Sequence, residues 1–336
     1  MNDQQPLWQQ FDAVGFDLDG VIYRGAAVVP SAPETVAALR AAGVKVGFVT
    51  NNAGRAPSAV CAHLGRLGIA AQPIDVVTSA QATASLMASQ LPTDALVMCL
   101  GSAALAAEIT AVGLRCLPPG PEPVDAVCFG FEPSLTWADL NEGCFAVQRG
   151  ATLYACNDDL SRPDDRGIAV GTGAVLAAMT AVLPGVVPEM GGKPARPLLE
   201  ETKQRLQAVT PLFVGDRLDT DIAGASNAGW ASLFVFTGAH GAADLLAAPI
   251  NQRPTFIAQD VSGLLQPPRQ AWPEAAVWHC GAAQAWAEPG GVVRVSGPLG
   301  SGEQRLDALW AVAQAVWQQV DAGVTPDLAW IRRCCA

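Results

Sequence analysis

Short apolar runs alternate with helical patterns along most of the chain, and this alternation limits the folds that the sequence can adopt. On either side of a long middle segment, the predicted strands are residues 13–16, 44–49, 74–78, 212–214 and 233–236. The predicted helices among them are residues 33–42, 57–67 and 222–228. Continuous apolar strands that alternate with helices are typical of parallel β-α-β units. The pattern therefore predicts an α/β fold with a doubly wound parallel sheet, a Rossmann-like core.

A second set of strands and helices lies between residues 83 and 187. Its predicted strands are residues 95–100, 126–129 and 153–155, and its predicted helices are residues 103–112, 137–149 and 173–182. Because core-type segments lie on both sides, we expect residues 1–82 and 188–266 to form a catalytic core. Residues 83–187 would then be an inserted α/β cap, and a mobile insertion over strand ends forms a lid.

The last segment, residues 267–336, differs in composition from the rest of the chain. Six of the nine tryptophans lie there, at positions 272, 278, 286, 310, 317 and 330. Residues 275–279 and 292–295 are predicted strands, and apolar residues between 306 and 320 recur at helical spacing, which favours a core-packed helix. The run Gly297-Pro298-Leu299-Gly300-Ser301-Gly302 carries Glu303 where a phosphate loop requires lysine. We therefore expect a small α+β extension, in which that run is a turn before the last helix.

Charge and cysteine content limit the partners and the compartment. The net charge of -11 argues against binding to nucleic acid or to an anionic membrane surface. The nine cysteines form no Cys-x-x-Cys pair, which favours free thiols in a reducing compartment, and Cys334 and Cys335 are adjacent. Neither a basic, apolar leader nor a run of ~18 apolar residues is present. We expect a cytoplasmic protein that acts on a small molecule, with a homodimer left open.

Polar residues follow three of the predicted strands at the point where each strand ends. Asp17-Leu18-Asp19-Gly20 follows the first strand, Thr50-Asn51-Asn52 the second, and Gly215-Asp216 a later one. Parallel sheets place their chemistry at the carboxyl ends of strands, so these groups are predicted to share one site. Alone, the first motif would suggest a polar turn, and Thr50-Asn51 would suggest a cap for the helix that starts near Pro57. Their common placement instead indicates phosphate or metal binding.

Four motifs occur in order along the chain: Asp17-Leu18-Asp19-Gly20, Thr50-Asn51-Asn52, Gly192-Lys193-Pro194, and Gly215-Asp216-Arg217-Leu218-Asp219-Thr220-Asp221. With them, roughly residues 11–265 resemble the haloacid-dehalogenase-like phosphatases. The closer resemblance is to the nitrophenylphosphatase-like branch, which includes phosphoglycolate, pyridoxal-phosphate and glycerol-phosphate phosphatases. Four further segments resemble the large α/β cap of this branch: Phe129-Gly130-Phe131-Glu132, Leu140-Asn141-Glu142, Asn157-Asp158-Asp159 and Gly171-Thr172-Gly173.

The resemblance implies an Mg²⁺-dependent phosphatase. A phosphate dianion repels an attacking carboxylate, and Mg²⁺ offsets that repulsion while preferring oxygen ligands. Asp17 and Asp216 come from different strand ends and can converge on one ion. The resemblance adds the main-chain carbonyl of Asp19 as a ligand. It also implies that Asp221 sits behind the ion, holding a metal-bound water or orienting Lys193, whereas Asp219 is expected to be exposed.

The same resemblance assigns catalytic roles. Asp17 would be the nucleophile that forms an aspartyl-phosphate, and Asp19 would protonate the leaving alkoxide and then activate water. Thr50 and Asn51 would donate hydrogen bonds to the phosphoryl oxygens, and Lys193 would add a positive charge. The alternative for Lys193 is a solvated lysine in a turn.

Substrate selection is expected to lie in the cap. The candidates are Asn157, Asp159, Arg162 and Arg166; the two arginines could meet a second anionic group, or could simply be exposed loop residues. Glycerol 3-phosphate ranks first, because some actinobacterial glycerol-phosphate phosphatases carry a C-terminal extension that resembles an acetyltransferase fragment. Phosphoglycolate-like substrates rank next, followed by sugar, nucleotide and pyridoxal phosphates.

Two other classes of function remain open from the sequence. A phosphotransferase would use the same aspartyl-phosphate and pass the phosphoryl group to an acceptor other than water. A non-catalytic metabolite sensor would be expected to lack Asp17 or Asp19, and both are present.

Overall fold

The computed structural model describes residues 5–164, 166–288 and 290–327. Its strands are β1 (Ala13–Asp17), β2 (Tyr23–Arg24), β3 (Ala27–Val28), β4 (Lys45–Thr50), β5 (Val76–Thr78), β6 (Leu96–Leu100), β7 (Arg115–Leu117), β8 (Ala126–Phe129), β9 (Thr152–Ala155), β10 (Ser161–Asp164), β11 (Gly167–Val170), β12 (Glu189–Met190), β13 (Pro211–Gly215), β14 (Ala231–Val235), β15 (Phe256–Ala258), β16 (Ala271–Glu274), β17 (Val277–Cys280), β18 (Ala283–Ala287) and β19 (Val293–Ser296). Its helices are α1 (Ala32–Ala41), α2 (Pro57–Arg66), α3 (Ser79–Gln90), α4 (Ala103–Ala111), α5 (Trp137–Gln148), α6 (Thr172–Thr180), α7 (Pro197–Leu206), α8 (Ala223–Ala228), α9 (Ala242–Leu246) and α10 (Gly302–Asp321).

A six-stranded sheet in the order β15-β14-β13-β1-β4-β5 forms the core, and all of its strand pairs are parallel. The fold class predicted from the alternating pattern is therefore confirmed. The strand predicted at residues 74–78 begins only at Val76, because Pro73–Asp75 forms a 3₁₀ turn and the Ile74 side chain is 58% exposed. With β1 between β13 and β4, the carboxyl ends of these strands come together at one edge of the sheet.

A second parallel sheet, in the order β12-β9-β8-β6-β7, is built between the two parts of the core. Its last strand pairs Glu189 with Tyr154 and Met190 with Ala155. These two residues therefore lie on the second sheet, and the Gly191 amide also donates to the Ala155 carbonyl oxygen at 3.0 Å. The chain next joins the core sheet at β13, so the core segment predicted from residue 188 begins with residues that pair with the second sheet. A short antiparallel hairpin, β10-β11, leaves the same region.

The C-terminal extension is an antiparallel sheet of β16–β19 packed against α10. The strand predicted at residues 275–279 is confirmed as β17 but begins only at Val277, because Ala275 adopts a φ of 54° in the turn that separates β16 from β17. The turn before the last helix is confirmed: Ser301 caps α10, and its hydroxyl accepts a hydrogen bond from the Gln304 amide. Trp310 and Trp317 are buried, so the tryptophans on this helix belong to a core, as predicted. Trp330 lies outside the described residues.

One apolar cluster joins the extension to the core. Leu218, Leu245 and Leu246 from the core lie in the same cluster as Trp310 and Trp317 of α10. The indole nitrogen of Trp317 donates a hydrogen bond to the Leu245 carbonyl oxygen at 3.2 Å. A second link is polar, since Arg253 contacts both carboxylate oxygens of Asp321, at 2.7 and 2.8 Å.

The remaining sequence predictions concern thiols and membranes. The seven cysteines in the described residues are free thiols, as expected, and Cys334 and Cys335 lie outside that part of the chain. Among the described residues, no helix is both long and apolar enough to span a bilayer.

Candidate active site

The polar residues predicted to share a site line one cavity of about 660 Å³. Asp17 ends β1, Thr50 ends β4 and Asp216 directly follows β13, so adjacent parallel strands deliver all three to one edge. The cap closes the opposite side of the cavity with Phe131, Asn157, Asp159, Ser161, Arg162, Ile168, Gly171 and Thr172. The cavity is thus a cleft between the core sheet and the cap.

Three carboxylates form an acidic cluster at the floor of this cleft. Asp17, Asp216 and Asp221 each offer a carboxylate oxygen, and these oxygens lie within 4.8 Å of one another. Burial and the charge of Asp221 raise the pKa of Asp216 to about 7. The pKa of Asp17 is also raised, by burial and by the charges of Asp221 and Asp216, although Lys193 acts in the opposite direction. Burial and mutual repulsion therefore disfavour three ionised carboxylates here unless a further positive charge joins them.

The hydrogen bonding of the Asp216 carboxylate shows whether the cluster fits a cation. Its Oδ2 accepts a hydrogen bond from the Ala239 amide at 2.7 Å, whereas its Oδ1 is buried with no hydrogen-bond partner among the described residues. A buried carboxylate oxygen without a donor is unfavourable unless a cation or a proton meets it. Clustered carboxylate oxygens are the ligands that a hard divalent cation such as Mg²⁺ prefers. The residues present therefore fit the predicted metal.

Two glycines allow the loops to approach Asp216. Gly20 has a φ of 91°, and a Cβ there would lie 2.4 Å from Asp216 Oδ2. A Cβ at Gly238 would lie 1.8 Å from the same oxygen. Any side chain at Gly238 would displace the carboxylate, so the glycine after Thr237 is required by the packing of the acidic cluster.

Lys193 lies in the middle of the cluster rather than in solvent. Its Nζ is 2.7 Å from Asp17 Oδ1 and 2.7 Å from Asp221 Oδ1, and the residue is 1% exposed. Burial alone would lower the pKa of Lys193, but the charges of Asp17 and Asp221 raise it above its ordinary value. The lysine is therefore a protonated bridge between two carboxylates, which excludes the solvated-turn alternative.

Asp221 connects the lysine to the backbone around Asp216. Its Oδ2 accepts hydrogen bonds from the Asp216 amide at 3.1 Å and the Arg217 amide at 3.0 Å, while its Oδ1 faces Lys193. Asp221 lies on the π-helical turn Leu218–Ile222, which directly follows the strand-end loop. This turn holds the Asp221 carboxylate against Lys193, which fits the second of the two roles that the resemblance implied for it, orienting Lys193.

Thr50 and Asn51 do not cap α2. That helix begins at Pro57 with Ala56 as its N-cap residue, and no side chain caps it. Thr50 Oγ1 accepts a hydrogen bond from the Asn52 amide at 3.1 Å, and the Thr50 residue is buried at the cavity wall. The helix-cap alternative left open by the sequence is therefore wrong.

The Asn51 side chain has a different task from the predicted phosphate contact. Its Oδ1 accepts a hydrogen bond from the Lys193 amide at 2.8 Å, and its Nδ2 donates to the Lys193 carbonyl oxygen at 2.9 Å. The same Nδ2 donates to Asp159 Oδ2 at 3.2 Å. Because its amide hydrogens already have acceptors in the protein, this side chain fixes the Lys193 backbone instead of pointing both donors at a ligand.

Asp19 also lines the cavity. The residue is open to solvent by surface area, but the walls of the cleft crowd its carboxyl group. Desolvation therefore raises the pKa of Asp19, while the charges of Arg55 and Lys193 act in the opposite direction. A carboxyl group with a raised pKa is suited to giving up a proton and taking it back.

The cap residues divide into two groups. Asn157 Nδ2 donates to the Asn51 carbonyl oxygen at 2.7 Å, and Asp159 accepts from the Asn51 side chain, so these two bind the cap to the end of β4. Arg162 lines the cavity, where its guanidinium lies 5.1 Å from the Phe131 ring centre and pairs with Asp164 at 3.0 Å. Arg166 is exposed and is not among the described residues that line the cavity, which matches the loop-arginine alternative.

Sequence reasoning missed four cationic or polar residues around the cleft. Arg24, Arg55 and Arg217 line the cavity, and Arg217 makes two contacts with Asp219, at 3.1 and 2.8 Å. Asp219 is thus half-exposed on the π-helical turn rather than fully exposed in a loop. The fourth is His240, whose Nδ1 accepts a hydrogen bond from the Leu218 amide at 2.9 Å. Arg217 lies inside the fourth motif, so the sequence could have identified it as a site residue. His240 lies in none of the motifs, and nothing in the sequence marks it.

Two family models match the chain. Residues 14–115 match a haloacid dehalogenase-like hydrolase model, and residues 190–264 match an HAD-hydrolase-like model. A D-glycerol 3-phosphate phosphatase of Mycobacterium tuberculosis is 41% identical over 258 residues, which are 77% of this chain and 72% of that protein. An acid sugar phosphatase of Staphylococcus aureus is 33% identical over 256 residues, 76% of this chain and 96% of that protein.

Solved structures of phosphatases also resemble this chain. A glycerol phosphate phosphatase from Mycobacterium tuberculosis in complex with magnesium matches with a TM-score of 0.85 and 37% identity, over 96% of this chain and 93% of that one. An alignment that covers so much of the chain must include most of the C-terminal extension. A 4-nitrophenylphosphatase from Thermotoga maritima matches with a TM-score of 0.71 and 26% identity, over 77% of this chain and 98% of that one. This chain therefore belongs to the haloacid dehalogenase-like hydrolases.

Proposed function

We propose that this protein is an Mg²⁺-dependent phosphatase that hydrolyses a small phosphate monoester, glycerol 3-phosphate first, through an aspartyl-phosphate on Asp17. The observation that carries the proposal is the position of the Asp17 carboxylate. It ends the central strand of the core, faces the cleft, clusters with Asp216 and Asp221, and lies 2.7 Å from Lys193 Nζ. The related D-glycerol 3-phosphate phosphatase and the related structure in complex with magnesium support the choice of substrate and metal.

The metal site uses the carboxylates of Asp17 and Asp216 and the main-chain carbonyl of Asp19. The unpartnered Oδ1 of Asp216 is the atom that most needs such a cation. When bound, Mg²⁺ supplies the positive charge that lets a phosphate dianion approach a carboxylate. Asp221 acts from behind, because its two oxygens hold the Asp216 amide and the Lys193 ammonium group in place.

The reaction has two steps. An Asp17 carboxylate oxygen attacks phosphorus, the bond from phosphorus to the ester oxygen breaks, and Asp19 gives its proton to the leaving alkoxide. Asp19, now a carboxylate, takes a proton from water as that water attacks phosphorus. The bond between Asp17 and phosphorus then breaks and inorganic phosphate leaves. Lys193 and the Thr50 hydroxyl hydrogen stabilise the charge on the phosphoryl oxygens throughout, and Asn51 contributes by holding Lys193.

The three parts of the chain have separate tasks in this proposal. Residues 1–82 and 188–266 carry the chemistry, and residues 83–187 select the substrate as a cap. Arg162 and Phe131 form the part of the cap wall that meets the leaving group. Residues 267–336 support the core. We further propose that the protein works in the cytoplasm on small metabolites. The sequence leaves a homodimer open, and sedimentation equilibrium would measure whether the chain is a monomer or a dimer.

Phosphate release from a panel of phosphorylated metabolites tests the function. The panel contains glycerol 3-phosphate, 2-phosphoglycolate, pyridoxal 5′-phosphate, a nucleoside monophosphate and sugar phosphates, each with Mg²⁺ or with EDTA. We expect glycerol 3-phosphate to give the highest kcat/KM, EDTA to abolish release, and Mg²⁺ to restore it. Added alcohols test for a phosphotransferase, which would form new phosphate esters at the expense of inorganic phosphate. Release that survives EDTA, or no release from any compound, would contradict the proposal.

A further inference from the structure

We infer that His240 is a positioning residue for the Mg²⁺ site and that the C-terminal extension supports it through α9. The inference rests on the proposed function, since it concerns the metal site of that function. His240 is not part of the acidic cluster and lies after β14, at the edge of the cleft. His240 matters because its loop, which precedes α9, is hydrogen-bonded to the segment that carries Asp216 and Leu218.

The loop before α9 is bound to the metal-binding segment by three hydrogen bonds. The Ala239 amide donates to Asp216 Oδ2 at 2.7 Å, and the His240 amide donates to the Asp216 carbonyl oxygen at 3.3 Å. The third bond uses a side chain of the loop, because His240 Nδ1 accepts from the Leu218 amide at 2.9 Å. Residues 239 and 240 therefore contact both Asp216 and the first residue of the turn that carries Asp221.

Only the third of these bonds depends on a side chain of the loop itself, the His240 imidazole. Leu218 is 2% exposed and begins the π-helical turn, so its amide has little access to water if the imidazole is removed. The π-helical turn sets the position of Asp221, and the Asp221 carboxylate accepts hydrogen bonds from the Asp216 and Arg217 amides. Loss of the imidazole acceptor would therefore loosen two carboxylates without touching either, and groups behind a metal ligand commonly tune affinity in this way.

The C-terminal extension reaches this loop through α9. The helix begins at Ala242, shortly after His240, and its Leu245 and Leu246 are buried in the cluster that also holds Leu218, Trp310 and Trp317. The buried bond from the Trp317 indole nitrogen to the Leu245 carbonyl oxygen fixes α9 against α10. The extension thus packs on the same short segments, 218–222 and 242–246, that flank the metal site.

Isothermal titration calorimetry of the full chain with Mg²⁺, in the absence of substrate, tests the inference. We expect His240→Leu, which fills the space but accepts no hydrogen bond, to raise the Mg²⁺ Kd on the order of tenfold. His240→Asn keeps an acceptor atom at the δ position and should restore the Kd to within about twofold of the original value. Trp317→Phe should raise the Kd by roughly two- to threefold, since it loses one neutral hydrogen bond at greater distance.

Trp278→Phe is the matched control. It also removes an indole donor of the extension, but its partner is Gln318 within the extension, at 2.7 Å, and not α9. We expect its Mg²⁺ Kd to equal that of the unmodified chain. The thermal unfolding midpoint of each metal-free variant separates positioning from general destabilisation, because a purely structural role would lower the midpoint and leave the Kd unchanged.

The outcomes distinguish this inference from the proposed function. If the unmodified chain binds no Mg²⁺, the metal site of the proposed function fails. If it binds Mg²⁺ and His240→Leu binds equally well, only the role of His240 is overturned. Equal effects of Trp317→Phe and Trp278→Phe would overturn the support from the extension.

Discussion

Among single residues, Lys193 and Asp216 show how charge organises the candidate site. Lys193 bridges Asp17 and Asp221 at 2.7 Å on each side, so one buried cation partly balances two buried carboxylates and the half-buried one of Asp17. Asp216 is not satisfied in this way: one of its oxygens has no hydrogen-bond partner among the described residues, and its pKa rises to about 7. The metal-free cleft therefore favours a proton or a cation at Asp216.

The raised pKa of Asp216 predicts how pH changes the stabilisation by Mg²⁺. The pKa of an unfolded aspartate is about 3.9, so between that value and the folded value the folded chain binds more protons. The contribution of Asp216 to the free energy of unfolding of the metal-free chain must then fall as pH rises through this window, and Mg²⁺ must displace the proton. We expect the rise in thermal midpoint on adding Mg²⁺ to be larger at about pH 8 than at about pH 6. Equal rises at both pH values would contradict the assignment.

Replacing Lys193 by methionine tests the charge bridge. The variant leaves Asp17 and Asp221 buried without their common cation, and breaking a buried ion pair from one side destabilises proteins by roughly 3–5 kcal/mol. We expect the free energy of unfolding, measured by urea titration without Mg²⁺, to fall by about this amount, and activity to be lost. Lys203→Met on α7 is the control, and its expected change is within about 0.5 kcal/mol. A Lys193 variant as stable as this control would argue against the bridge.

Among secondary-structure elements, the β10-β11 hairpin carries the clearest test of substrate selection. Arg162 faces the cleft next to Phe131, whereas Arg166, in the turn of the same hairpin, is exposed. We expect Arg162→Ala to raise KM for glycerol 3-phosphate by roughly tenfold with a smaller change in kcat, because the side chain would meet the leaving group and not phosphorus. Arg166→Ala should leave both constants near their original values. The reverse ranking of the two variants would place the selective contact elsewhere.

The elements also show how far the sequence predicts the structure. The core strands and the convergence of Asp17, Thr50 and Asp216 follow from period and motif placement, because buried parallel strands need continuous apolar runs and end at one edge. Short edge strands such as β12 carry too few residues to show a period. The Asn51 side chain makes two hydrogen bonds to the Lys193 backbone, and the His240 side chain makes one to Leu218. Each pair joins separate segments of the chain, and no local pattern encodes such partners.

At the scale of the whole molecule, the extension and the core share one apolar cluster, so we expect them to unfold together. Trp310 lies inside that cluster, and truncating a buried tryptophan to alanine lowers the free energy of unfolding by about 3–5 kcal/mol. Trp310→Ala should therefore lower the thermal unfolding midpoint of the catalytic core as well as that of the extension. The transition of the core is the one whose midpoint changes when Mg²⁺ is added. Trp272→Ala, at a position that is 46% exposed, should have a much smaller effect. If Trp310→Ala instead gave two separate unfolding transitions and the midpoint of the Mg²⁺-dependent one were unchanged, the extension would fold independently of the core.

The chemistry proposed for the whole molecule depends on a covalent bond between Asp17 and phosphorus. Acid quenching during turnover of glycerol 3-phosphate, followed by borohydride reduction, converts an aspartyl-phosphate into homoserine that peptide mass spectrometry can locate. We predict homoserine at position 17 in the unmodified chain, and none in the Asp17→Asn variant or in a sample quenched without substrate. Rapid turnover with no modified residue, or with the modification at Asp19 or Asp216 instead, would contradict the proposed role of Asp17.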